Sequence, residues 1–192
     1  MVSASGQRPV VGPRRRPIAV LALLAVAALV MWWAQRGPGD AAKYRLDAAA
    51  VRALPADAAG DERLLTHLGS LMREDAGAPW KGLDGAQRLV AVALAFEGMA
   101  SRMGLAGYVS FLQRGQQVPT LDEIVESYEA LGCPAAAGIV GEARSLVESH
   151  GWLPAADQLQ DVEQRLRRAL DAARGARWAF TIQHAEEIAA PR

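Results

Sequence analysis

The chain has 192 residues, a single cysteine, and 21 basic groups balanced by 21 acidic ones. One cysteine excludes an internal disulfide framework, and a net charge of zero gives no reason to expect direct nucleic-acid binding. The balance is unevenly distributed: residues 1–39 carry five arginines and no acid, leaving 16 basic and 21 acidic groups, a net −5, in residues 40–192.

Residues 1–13 are polar, contain Gly and Pro and show no period, the pattern of a disordered tail. Arg14, Arg15 and Arg16 then abut an uncharged run over 18–33, eight of whose residues are Ile, Leu or Val. Extended to Gln35, it makes roughly 27 Å of helix at about 1.5 Å per residue. That nearly matches a bilayer core of about 30 Å. No polar face interrupts the run, as a buried soluble helix would require. Trp32 and Trp33 suit the far interface, and the basic cluster on the near side keeps the N-terminus in the cytoplasm. Residues 14–36 are therefore predicted to be a single-pass signal-anchor. A cleaved signal peptide is the alternative, but neither Trp32-Trp33-Ala34 nor Gly39-Asp40-Ala41 is a good small-x-small cleavage site. Both readings place the remainder outside the cytoplasm.

Gly37-Pro38-Gly39 starts a linker over 37–43, and residues 44–192 are the ordinary size for one domain with its own core. A short helix is expected over 44–54, stopped by Pro55. A second, over 61–73, has Leu64, Leu65, Leu68 and Leu71 on one face. Trp80, in a loop over 77–82, is placed to cover the core.

A helix over 84–103 follows. At 100° per residue, Asp84, Arg88, Ala91, Ala95, Gly98 and Arg102 share one charged or small face, while Leu89, Val92, Phe96, Met99 and Met103 cover a flank. Glu97 lies opposite Arg88 and Arg102, on the apolar side. That break in the pattern makes Glu97 the first candidate for a site or a structural lock. Gly104 fits a helix end, and a short helix over 105–114 should follow. Glu97 is expected to accept hydrogen bonds from that turn, or from the Tyr108 or Trp80 side chain.

Thr120-Leu121-Asp122-Glu123 is a capping box, opening a helix over 121–131 closed by Gly132. Cys133 is expected to be buried at the junction, and Pro134 suits the first turn of the next helix. In that helix Ile139, Val140, Ala143, Leu146 and Val147 form an amphipathic stripe. The last helical region runs over 156–189, with a possible break at Gly175 and an apolar stripe of Val162, Leu166, Ala169, Leu170 and Ala173. No strand alternation or internal repeat is visible. The fold class is all-α: an N-terminal transmembrane helix followed by one multi-helix domain.

The residues from Glu97 through Gly104 and Tyr108 to Ala130-Leu131-Gly132 and Ala143 resemble the core of the DNA-mimic-protein-type domain, a bacterial family. Its pattern joins a Glu, an Asn-Asn-Gly-Gly-Phe turn and aromatics to a helix ending in Ala-Leu-x-x-Ile-Gly-Ala. Here Ser101, Arg102 and Met103 stand in place of Asn-Asn-Gly, Leu105 in place of the Phe, and Met99 in place of a second Glu. The resemblance covers residues 97–143 and implies a bacterial helical domain. It also implies that an acidic surface (Asp122, Glu123, Glu126, Glu129, Glu142 and Glu148) imitates phosphates for a DNA-binding protein. Simple solvation of outward helix faces accounts for the same acids.

Motifs of chemistry are scarce. His67, His150 and His184 are far apart with no second ligand at metal spacing, and there is no phosphate-binding Gly-rich loop or Gly-x-Ser-x-Gly elbow. Ser101 lies one turn from Glu97, but a helical hydroxyl more often bonds its own backbone. No cofactor, metal or catalytic residue is expected. The reading is a bacterial inner-membrane protein with an extracytoplasmic helical domain that binds another protein. Two alternatives stand beside it. One is an envelope enzyme with an unrecognised site around Glu97; Glu97, Ser101, Gly104, Tyr108 and Trp80 are the candidate structural or binding residues. The other is an acidic DNA-mimic-type regulator, which would require the domain to lie in the cytoplasm.

Overall fold

The computed structural model describes residues 44–71, 79–150 and 156–190. The predicted tail, membrane anchor and linker lie outside the described residues, which begin at Tyr44. Those residues form seven α-helices and no strand: α1 (Ala48–Arg52), α2 (Ala58–Leu71), α3 (Gly85–Gln113), α4 (Leu121–Ala130), α5 (Pro134–His150), α6 (Ala156–Gln183) and α7 (Ala185–Ala189), with a 3₁₀ turn at Pro79–Gly82 before α3.

Local chemistry sets the boundaries. Asp47 caps α1, its carboxylate accepting from the Ala50 N–H at 2.7 Å, so this helix is shorter than the predicted 44–54. Asp57 accepts from the Ala59 and Gly60 amides at 2.9 and 3.0 Å, which starts α2 three residues before the expected Asp61. The Thr120 box forms as the sequence dictates. Glu123 N–H donates to the Thr120 hydroxyl at 3.2 Å, and Thr120 N–H donates to the Glu123 carboxylate at 2.9 Å. Thr120→Ala is expected to cost about 1 kcal/mol in urea denaturation; an unchanged midpoint would show that the box adds nothing. At the other end of α4, Gly132 takes a φ of 75°, and the amides of Gly132 and Cys133 donate back to Glu129 and Tyr128. This is a Schellman stop, after which Pro134 starts α5 at once.

The break expected at Gly104 is present: with φ 72° and ψ 172° its backbone is not helical, so α3 consists of two helical segments that meet in a kink at Gly104, the second ending at Gln113. Gly175 leaves α6 intact. A helical glycine costs only about 1 kcal/mol relative to alanine, and α6 is anchored beyond it by buried Arg177 and Trp178. The chain breaks instead at His184, before α7.

α3 is the central element, packing against α2, α4, α6 and α7; α5 bridges α4 and α6, and α1 lies on α7. Its inward residues Val90, Phe96, Leu105 and Tyr108 meet Leu64 and Leu68 of α2, Ile124 and Tyr128 of α4, Leu166 of α6 and Ile188 of α7 in one continuous core. Phe96 sits edge-on to Tyr108, with centroids 5.0 Å apart. By length and composition α3 would be able to cross a membrane. It nevertheless bends at Gly104, holds Glu97 and Gln87 inward, and is covered by four other helices. Those are features of the central helix of a bundle.

A buried arginine–carboxylate network as the candidate site

Glu97 is buried, as its place on the helix wheel requires, with 9% of its surface exposed. Its partners are not the expected ones. Arg177 of α6 reaches it at 3.0 Å through Nη2, and the Tyr128 hydroxyl of α4 donates to it at 3.4 Å. Arg177 is itself fully buried and places Nη1 2.9 Å from Asp61 of α2. One guanidinium thus joins α2, α3 and α6, and a tyrosine ties α4 to the same point. The planar five-donor group of arginine suits a position between two carboxylates. Arg174, one turn earlier on α6, adds a longer approach to Asp61 at 3.6 Å.

The expected partners of Glu97 lie elsewhere. The Leu105 amide, freed by the bend at Gly104, donates to Glu163 of α6 at 2.9 Å. The positive helix end does attract a carboxylate, but from a different helix. The Tyr108 hydroxyl donates to the Pro119 carbonyl at 2.6 Å. Trp80 is buried and its indole lies by Glu123. Ser101 is exposed and donates to the Gly98 carbonyl at 3.1 Å, so it does not pair with Glu97. The fold therefore leaves the five candidate residues in separate roles around the α3 bend and does not converge them on one point.

Electrostatics follow from burial. Desolvation pushes the Glu97 carboxyl above its ordinary value, against the opposing pull of Arg177. A raised acid contributes stability that is complete below its unfolded value and is lost as pH rises through the folded one. Burial and the Glu97 charge drive the Tyr128 hydroxyl well above its ordinary range, so it remains a donor. Cys133 is buried and free, and burial raises its thiol too. It behaves as a small apolar residue at the α4–α5 junction.

Most of the predicted acidic surface is matched by arginines. Arg144 binds Asp122 at 2.6 Å and lies 3.8 Å from Glu148; Arg165 binds Glu142 at 2.7 Å; Arg88 lies 3.4 Å from Glu123 and 3.7 Å from Glu126. Glu123 is only partly exposed, being committed to the capping box. Glu129 is exposed on the same side. Arg167 pairs with Glu163. The arginine-rich stretch of α6 thus meets acids of α2, α3, α5 and its own helix. Among the described residues no three of His, Cys, Asp and Glu gather as a metal site would need.

No protein-family model, curated protein or solved structure matches this chain. Its chemistry is therefore read from its own residues.

Proposed function

We propose that this chain is a single-pass protein of the bacterial inner membrane, with its N-terminus in the cytoplasm, whose helical domain binds another protein outside the cytoplasm. The observation that carries this reading is the uncharged run over 18–33 behind Arg14, Arg15 and Arg16, joined through a Gly-Pro-Gly break to a domain of its own. The buried polar groups favour a binding scaffold over an enzyme: Glu97 is taken up by Arg177 and Tyr128, and Ser101 by its own backbone. The paired acids weigh against the alternative suggested by the DNA-mimic-type resemblance. Phosphate imitation needs uncompensated charge, and Asp122, Glu126, Glu142 and Glu148 each have an arginine within 4 Å.

The test is topological and then biochemical. A reporter active only in the periplasm, fused after Arg192, is expected to be active, and the protein should stay with membranes through a carbonate wash. Crosslinking in intact cells should then capture an envelope protein. Activity of a cytoplasm-only reporter at the same position would overturn the placement, and capture of a DNA-binding protein would favour the mimic.

A further inference from the structure

His67 belongs to none of the features above, yet it is fully buried on α2 and both ring nitrogens are engaged. Nδ1 accepts from the Leu46 amide at 3.0 Å, and Nε2 lies 2.9 Å from the Ile188 carbonyl. A backbone amide can only donate and a carbonyl can only accept. Nδ1 must therefore be bare, and Nε2 must carry the single proton. The ring is neutral and bridges the two ends of the domain: the segment leading into α1 and the segment around α7. Gln87 of α3 grips the same C-terminal segment, its Nε2 donating to the carbonyls of Glu187 at 2.9 Å, Ile188 at 3.3 Å and Ala190 at 2.9 Å.

We propose that His67 is a pH-sensitive latch that holds both ends of the domain against the bundle while neutral and releases the first segment when protonated. A second proton would sit on Nδ1 and face the Leu46 N–H, donor against donor, which breaks the bond to the first segment. It would also place an unneutralised charge in the interior. The surrounding groups supply no counter-charge at the ring. Tyr44 and Arg45 approach from the first segment, and Arg45 opposes protonation. Gln87 faces the ring's carbonyl partner from α3 and is uncharged. On α7, Glu186 is bound to Arg52 at 2.9 Å and Glu187 to His184 at 3.2 Å. On α2 itself, the uncharged Ser70 hydroxyl donates to the His67 carbonyl at 2.7 Å. Burial, with Arg45, lowers the ring below its ordinary 6.5, although the Ile188 and Tyr44 backbones favour the charged form. A base depressed in this way contributes stability that is complete above 6.5 and is lost as pH falls from there through the lowered value. The latch does not depend on where the domain resides.

The full-length protein in detergent would be titrated from pH 8 to 5. His67 ring protonation would be followed by NMR, and amide protection by hydrogen exchange relative to intrinsic rates. The ring should remain neutral at pH 6.5. As it protonates, the Leu46 amide should lose protection at least tenfold while α4 and α5 keep theirs. His67→Gln, which keeps an acceptor and a donor but cannot titrate, should hold protection across the range. If that variant does not fold, the wild-type titration decides alone. Protection that survives ring protonation, or is lost while the ring is neutral, or is lost from all helices at once, would overturn the latch.

Discussion

Arg177→Ala is expected to destabilise the domain by about 3–5 kcal/mol at pH 7, the cost of stranding buried charges when their partner is removed. In a domain of this size that corresponds to a melting temperature lower by about 10 °C. Arg177 has no exposed side-chain surface and stands 3.0 Å from Glu97 and 2.9 Å from Asp61, so its loss leaves two carboxylates facing each other across α2 and α3. Asp61 retains Arg174 at 3.6 Å, whereas Glu97 retains only the Tyr128 hydroxyl. With Arg177 gone, burial is opposed by less, and the Glu97 carboxyl is pushed further above its ordinary value. A raised acid loses its stabilising contribution as pH increases, so the penalty of Arg177→Ala should be smallest near pH 4.5 and grow towards pH 7. Removing both charges, as in Glu97→Gln with Arg177→Met, should recover much of the loss, because no unpaired charge is then left buried between α3 and α6. Urea denaturation at both pH values measures all of this. A loss under about 1 kcal/mol at pH 7, within the range of an exposed pair, would mean that the network does not hold the helices together.

The half of this network that sits on α3 was legible in the sequence, and the half on α6 was overlooked although its signal was present. Glu97 stood out because a carboxylate on an apolar wheel position has no bland explanation. The α6 stripe of Val162, Leu166 and Ala173 extends by one further step of four to Arg177, a base on an apolar face. It sits in a stretch with Arg165, Arg167, Arg168 and Arg174, a composition that reads as surface charge. His67 was hidden in the same way: Leu64, Leu68 and Leu71 define the inward face of α2, and residue 67 falls within it. The all-helical class of the described residues and the α4 cap were readable because they depend on contacts within four residues. Which carboxylate meets which donor depends on helix crossings between residues far apart in the chain, 31 positions for Glu97 and Tyr128, 58 for Leu105 and Glu163 and 80 for Glu97 and Arg177, and no local pattern encodes those. The expectation that the amide after Gly104 needs a carboxylate was physically sound, but α6 supplied Glu163 before α3 had to turn Glu97 back on itself.

That amide is the basis of the second large effect. Gly104→Ala is expected to cost about 3 kcal/mol or more, from two sources that add at one residue. With φ 72° and ψ 172°, position 104 occupies a region essentially reserved for glycine, and a side chain there costs about 1–3 kcal/mol in strain alone. An added Cβ would also lie 2.6 Å from Glu163 Oε2. The carboxylate is flexible enough to retreat, but retreating breaks its 2.9 Å bond to the Leu105 amide, and a charged hydrogen bond is worth about 1.5–3 kcal/mol. Gly98→Ala on the same helix is the internal control. Nothing lies within 4 Å of a Cβ there, and its backbone is helical, so it should stabilise by about 0.5–1 kcal/mol. The two substitutions add the same methyl group six residues apart and are expected to move stability in opposite directions. Glu163→Gln, which keeps an acceptor, should lose less than Glu163→Ala. If Gly104→Ala proved no worse than Gly98→Ala, α3 would not be bent at residue 104, and α6 would not be held there by Glu163.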